Sequence, residues 1–213
     1  MIAAPKAPRL ATPLGDWSGE SDAEVDIDEM FVAEADFTAA TRLEANGSRM
    51  DKVILTGSRL AKCEMTDLEC NKLEGVAVDA PRANLLRVYM ADSRCTGAEF
   101  GESVFTDCVF RNVKFDQVGF RFVKFERVRF ENCVLRQADF SSAALKNVVF
   151  DGCDLEECSF VSAVCKDVDV SKNDITVAKS VLGLKGATIS TEQLIQLAPL
   201  LAAELGFIVK DEA

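Results

Sequence analysis

Eight cysteines and a scatter of carboxylates are the side chains with chemistry to offer; the 213-residue chain holds no histidine. A thiol becomes a nucleophile, a redox partner or a metal ligand when a histidine or a C-x-x-C spacing supports it. Neither support is present. Asp154, Glu156 and Glu157 lie close enough in sequence for paired acid–base work, which also requires a pocket that shifts their pKa values. No phosphate loop and no metal-ligand spacing occur. The chain is therefore expected to be no enzyme, with no cofactor and no metal.

The elements that position these residues follow from the stretch Ala98 to Val177, which divides into sixteen pentads without an insertion. The third position, Phe100 to Ile175 in steps of five, holds ten Phe, three Leu, one Cys, one Val and one Ile. The first position, Ala98 to Asn173, holds six Val, four Ala, four Cys, one Ser and one Asn. A period of five fits neither the 3.6 of a helix nor the 2 of a sustained strand. Within a pentad the two apolar residues face one way, so the chain must turn a corner before the next pair. Four corners close a square coil of 20 residues, and coils stack at about 4.8 Å like neighbouring strands. The expectation is a solenoid whose repeats cannot bury themselves alone. All eight cysteines fall on inward positions: Cys63, Cys108, Cys133, Cys153 and Cys158 on first, Cys70, Cys95 and Cys165 on third. They are expected to be reduced packing residues, which suits a reducing cytoplasm.

These pentads resemble the pentapeptide-repeat family, written A-(D/N)-L-X-X. The resemblance implies an all-β, right-handed quadrilateral β-helix. It also implies kinship with quinolone-resistance members that mimic duplex DNA, bind DNA gyrase and pair through a C-terminal helix. One departure is that the family's Asp or Asn before the central residue is scarce. Asp139, Asp154, Asp169 and Asp174 keep it, whereas Lys114, Lys124 and Arg129 replace it.

Three regions are expected. Residues 1–24, with Pro5, Pro8 and Pro13 and no period, read as a flexible N-terminal tail. Trp17 either folds over the first coil or stands in solvent. Residues 25–180 read as the β-helix. Phase slips by three between Ala40 and Leu43, which predicts a loop or bulge within 38–48, helped by Asn46-Gly47. Gly75 and Ala80 leave two adjacent central positions nearly empty, so residues 73–82 either bulge or pack loosely. Residues 181–213 read as a C-terminal capping helix with a short apolar segment. Ser190 and Gln193 form an S-x-x-Q capping box, with Ile189 and Leu194 placed as a staple. Leu194, Leu197, Leu201 and Leu205 share the face expected to cover the last coil. Pro199 should kink or split the helix. Ile195, Leu200, Phe207 and Ile208 are left over, which predicts a homodimer through this end.

The net charge is −11. That excludes the basic footprint of direct nucleic-acid binding, and no apolar run is long enough to span a membrane. Residues 151–213 carry −6 and residues 101–150 carry +2. The expected function is a protein-interaction solenoid. The resemblance adds an alternative, an acidic DNA mimic that binds DNA gyrase or another type II topoisomerase and modulates quinolone sensitivity. Its partner surface would be Asp151, Asp154, Glu156, Glu157, Asp167, Asp169 and Asp174.

Overall fold

The computed structural model describes residues 2–18 and 23–210. Its strands are β1 (Gly15–Asp16), β2 (Glu24–Asp28), β3 (Met30–Ala33), β4 (Arg42–Asn46), β5 (Arg49–Asp51), β6 (Glu64–Asn71), β7 (Asn84–Ala91), β8 (Val104–Arg111), β9 (Lys124–Glu131), β10 (Ala144–Asp151) and β11 (Val164–Lys172). All pair in parallel, each with the coil before and after, in one continuous ladder. From β4 to the middle of β11 the register is 20 residues, as in Glu64↔Asn84 and Val104↔Lys124, and it shifts at the end, where Asp151 faces Lys172. Isolated bridges such as Lys114↔Val134 and Gly119↔Asp139 hold the two sides without regular strands.

The corners explain why five residues suffice per side. Every fifth residue from Gly47 to Asp167 has positive φ, near +50° to +75°. That conformation reverses the pleat and returns the next apolar pair to the interior. Most of these corners carry ordinary L residues, Phe122 among them, although the left-handed region costs about 1–2 kcal/mol per residue. The stacked lumen outweighs that cost. Phe100, Phe120, Phe140 and Phe160 form one column with centroid separations of 5.7, 5.1 and 5.1 Å. A second column, Phe110, Phe130 and Phe150, stacks at 5.2 and 5.0 Å.

First positions do more than fill space. Cys108, Cys133, Cys153 and Cys158 each donate an S–H to the carbonyl 23 residues earlier, at 3.6, 3.3, 3.3 and 2.9 Å. Ser103 does the same to Ala80, and Asn173 to Phe150. This is why small polar residues are tolerated inside the rod.

Several expectations change. Residues 38–48 contain no projecting loop. The first coil is instead two residues shorter, with register Glu24↔Arg42 and Phe31↔Arg49, because a three-residue step from Ala40 to Leu43 replaces one pentad. Residues 73–82 do not bulge: Glu74 and Asp79 bridge to Arg94 and Glu99 in regular register. The missing side chains leave an apolar void of about 40 Å³ among Leu73, Gly75, Ala80, Leu85 and Cys95. The described part of the N-terminal segment is docked rather than free, with Gly15 and Asp16 pairing with Met30 and Phe31. Trp17 covers the first coil edge-on to Phe37 at 5.3 Å. Residues 1 and 19–22 of the expected tail lie outside the described residues.

After Val177 a 3-10 turn (Leu182–Leu184) leads to α1 (Thr191–Glu204). The capping box forms as expected, and Pro199 leaves the helix unbroken. The packing face differs, however. Gln193 and Leu197 are the buried helix residues, with Leu201 half-buried, whereas Leu194 and Leu205 are exposed. Ile189 packs against the core. Gln193 lies 20 residues after Asn173 and acts as the next first position: its amide donates to Val170 O at 2.8 Å and Asn173 O at 2.6 Å. The helix therefore docks by continuing the rod's own hydrogen-bond ladder.

Candidate interaction surfaces

The cysteines lie in the packed lumen. Burial pushes the thiols of Cys63, Cys70, Cys95, Cys108 and Cys158 up to about 12, so they are protonated at neutral pH. Cys133 sits against Cys153, and that neighbour together with burial raises its thiol as well. All eight cysteines are free and seven are buried; Cys165 is half-buried.

The acidic residues expected to form one surface are divided among sides of the rod. Asp151 and Asp169 lie on the β10–β11 side, where Asp151 pairs with Lys172 at 2.8 Å. Asp154 and Glu156 lie on a bridge-held side and share Arg136; Glu156 is 3.4 Å from it. Glu157, at the adjoining corner, accepts from Gln137 at 2.8 Å and approaches Lys179 at 3.9 Å. Asp169 and Asp174 accept backbone N–H groups from Ser171 and Thr176. Asp167, Asp169 and Asp174 make no ion pair among the described residues.

Most of the C-terminal set is exposed. Ile195, Leu200, Leu205, Phe207, Ile208 and Val209 are all exposed, Ile208 at 89%. Leu194 joins them, Leu197 is consumed by the core, and Leu201 stands between the two groups.

Two features escaped sequence reasoning. On one side Glu99 lies across Gly119, its carboxylate filling the space a Cβ there would take. Burial, then Asp79 and Asp139, push that carboxyl up. The second is a corner column between the two strand-bearing sides. It reads Asp67, Arg87, Asp107, Arg127 and Asn147, all at φ of 54–57°. Arg87 pairs with Asp67 at 2.6 Å and Arg127 with Asp107 at 2.7 Å. Asp67 and Asp107 are only 8% and 3% exposed, because the N-terminal segment lies over them. The alternation of sign at a spacing of 20 was visible in the sequence once the coil length was known.

Residues 123–180 match the family model described as a pentapeptide repeat region. Among solved structures, a trypsin-treated form of QnrB1, described as a plasmid-mediated fluoroquinolone resistance protein, is 18% identical. That match covers 89% of this chain and 93% of the other, with a TM-score of 0.49. HetL, a pentapeptide repeat protein involved in heterocyst differentiation regulation in the cyanobacterium Nostoc, is 12% identical. It covers 74% of this chain and 92% of that one, with a TM-score of 0.19. No curated protein matches the sequence.

Proposed function

We propose that this chain, whose residues 123–180 match the pentapeptide repeat region model, works as a non-enzymatic protein-interaction solenoid that pairs end to end through its C-terminal helix. The observation that carries the reading is the exposure of Ile195, Leu205, Phe207, Ile208 and Val209 on and just after α1. Large apolar side chains exposed together on one segment suit an interface, and a second copy presenting the same segment would bury them isologously. No helix among the described residues is long and apolar enough to cross a membrane. Free buried cysteines fit a reducing compartment such as the cytoplasm.

Light scattering tests the pairing. The 23.2 kDa chain is expected near twice that mass, and Phe207→Asp with Ile208→Asp is expected to give a monomer with unchanged β content. A wild-type monomer at high micromolar concentration would reject the homodimer.

The second reading is the DNA mimic directed at gyrase or another type II topoisomerase. Asp167, Asp169 and Asp174 on the last coil favour it, since no basic side chain neutralises them among the described residues. Arg136, Lys172 and Lys179 count against it at Asp154, Asp151 and Glu157. A supercoiling assay separates the readings: inhibition by the wild type, lost on replacing Asp167, Asp169 and Asp174 with Lys, would install the mimic.

A further inference from the structure

The N-terminal segment runs along the rod axis against the direction in which coils are added. Ala3, Lys6 and Arg9 donate their backbone N–H groups to Asn147 Oδ1 at 3.2 Å, Asp107 Oδ1 at 3.1 Å and Asp67 Oδ1 at 2.9 Å. Donors are three residues apart and acceptors forty apart, so each step of the segment crosses two coils. Two coils span about 9.6 Å at strand spacing. Three residues of polyproline II span about 9.3 Å and make one full turn, which returns every third N–H to the same side. A β-strand, with its period of two, would turn Lys6 away from the side that Ala3 and Arg9 face. The sequence suits this form: Ala4-Pro5-Lys6 and Ala7-Pro8-Arg9 repeat the order Ala, Pro, basic. Proline holds φ near −65° and falls where no N–H is used.

The recognition is transferable. Among residues 2–10 none is buried; Ile2, Pro5, Pro8 and Leu10 are half-buried and the others exposed. Contact is made by main-chain N–H groups and by the charge of Lys6 and Arg9 beside Asp107 and Asp67. Arg87 and Arg127 grip those carboxylates from the neighbouring coils, so the acceptors are fixed before the segment arrives.

We propose that the column Asp67–Asp107–Asn147 is a binding groove for proline-rich basic segments in polyproline II form, and that residues 2–11 occupy it in cis as a built-in competitor. The partner class is a protein segment that repeats a small residue, proline and Lys or Arg. Tethering supplies an effective concentration that reaches the millimolar range, so such a partner must displace the chain's own arm. The groove lies on the side of the rod, and the proposal does not depend on pairing at the C-terminal end.

The test uses the full chain carrying Lys6→Pro and Arg9→Pro, which removes two donors while keeping the polyproline form. The probe is a fluorescent synthetic peptide of residues 2–14. Polarisation should show saturable binding to the substituted chain, at least tenfold tighter than to the wild type. A peptide with proline at positions 6 and 9 should bind neither. Adding Asp107→Ala to the substituted chain should weaken binding at least tenfold; if that variant melts early, Asn147→Ala serves in its place. Equal binding to both chains, binding to neither, or equal binding of the proline control peptide would each overturn the proposal.

Discussion

The two ends of the rod face the same problem and solve different parts of it. At the N-terminal end β1 pairs with β3, so the first coil's open edge is partly occupied, and Trp17 places a ring on Phe37 over the lumen. The chain then continues as an arm along the side. At the C-terminal end the ladder is also continued, by Thr188 pairing with Asp169 and by Gln193 donating to Val170 and Asn173. There, however, the covering helix buries Leu197 but leaves Leu194, Ile195, Leu200 and Leu205 exposed. Both ends satisfy backbone polar groups, which an exposed strand edge would leave open to pairing with any chain. Among the described residues the N-terminal cover leaves no large apolar side chain exposed, whereas Ile195, Leu205, Phe207 and Ile208 stand exposed at the other end.

The largest effect that would sharpen this contrast comes from Leu197, the one fully enclosed apolar side chain of α1. Leu197→Ala should cost about 2–5 kcal/mol in chemical denaturation. Trp17→Ala, at a half-buried ring, should cost about 1–2 kcal/mol. A larger loss at Trp17 than at Leu197 would break the comparison, because the N-terminal cover would then be the keystone.

Gln193→Ala comes next. It removes a donor from two buried carbonyls; Val170 O keeps the Asn173 donors, but Asn173 O loses its side-chain partner, and the cost should be about 1–3 kcal/mol. The capping box loses its side-chain half in the same variant, so Gln193→Glu separates the two roles. Glutamate can still accept from Ser190 N, but it cannot donate to Val170 O or Asn173 O. If Glu matched the wild type, Gln193 would be a helix cap only, and the claim that α1 docks in coil register would fail.

The sequence disclosed the lumen because burial repeats at fixed spacing, and a hydrophobic pattern is what composition records. Phe120 and Cys133 could be placed without coordinates. The corners could not, since glycine stands at Gly47, Gly57, Gly97 and Gly152 but Lys, Arg, Asp and Phe122 adopt the same left-handed geometry elsewhere. Tertiary stacking overrides the local preference there. The helix face was misjudged for a related reason. The leucine spacing at 194, 197, 201 and 205 is a fair amphipathic stripe, yet Gln193 decides the docking because it falls 20 residues after Asn173. That arithmetic becomes meaningful only if the coil register outlasts the coil. Likewise Asp67 and Asp107 look like ordinary solvated acids until the arm is seen above them. The Ala-Pro-basic repeat that meets them lies in a stretch whose composition otherwise reads as disorder.

The smallest expected effect concerns pH at the arm. Arg87, with help from the Arg9 N–H, holds the Asp67 carboxyl below its ordinary value of 3.8 against the opposing effect of burial. At Asp107 burial pushes upward, but Arg127 and the Lys6 N–H together outweigh it, so that carboxyl is lowered too. A carboxylate with a depressed folded pKa contributes stability above its unfolded value and loses it as pH falls through the folded one. The arm should therefore hold at neutral pH and loosen as pH drops below about 4. The chain's single tryptophan, Trp17, stands at the foot of the arm and reports the event. Its emission should shift to the red before the β-sheet circular dichroism is lost. With Asp67→Asn and Asp107→Asn the amide oxygens still accept the arm's N–H groups but no longer titrate. The early shift should then disappear, leaving only the global transition. An early shift that persists in that double variant would assign the acid response to other carboxylates and leave the N-terminal end closed by Trp17 and β1 alone.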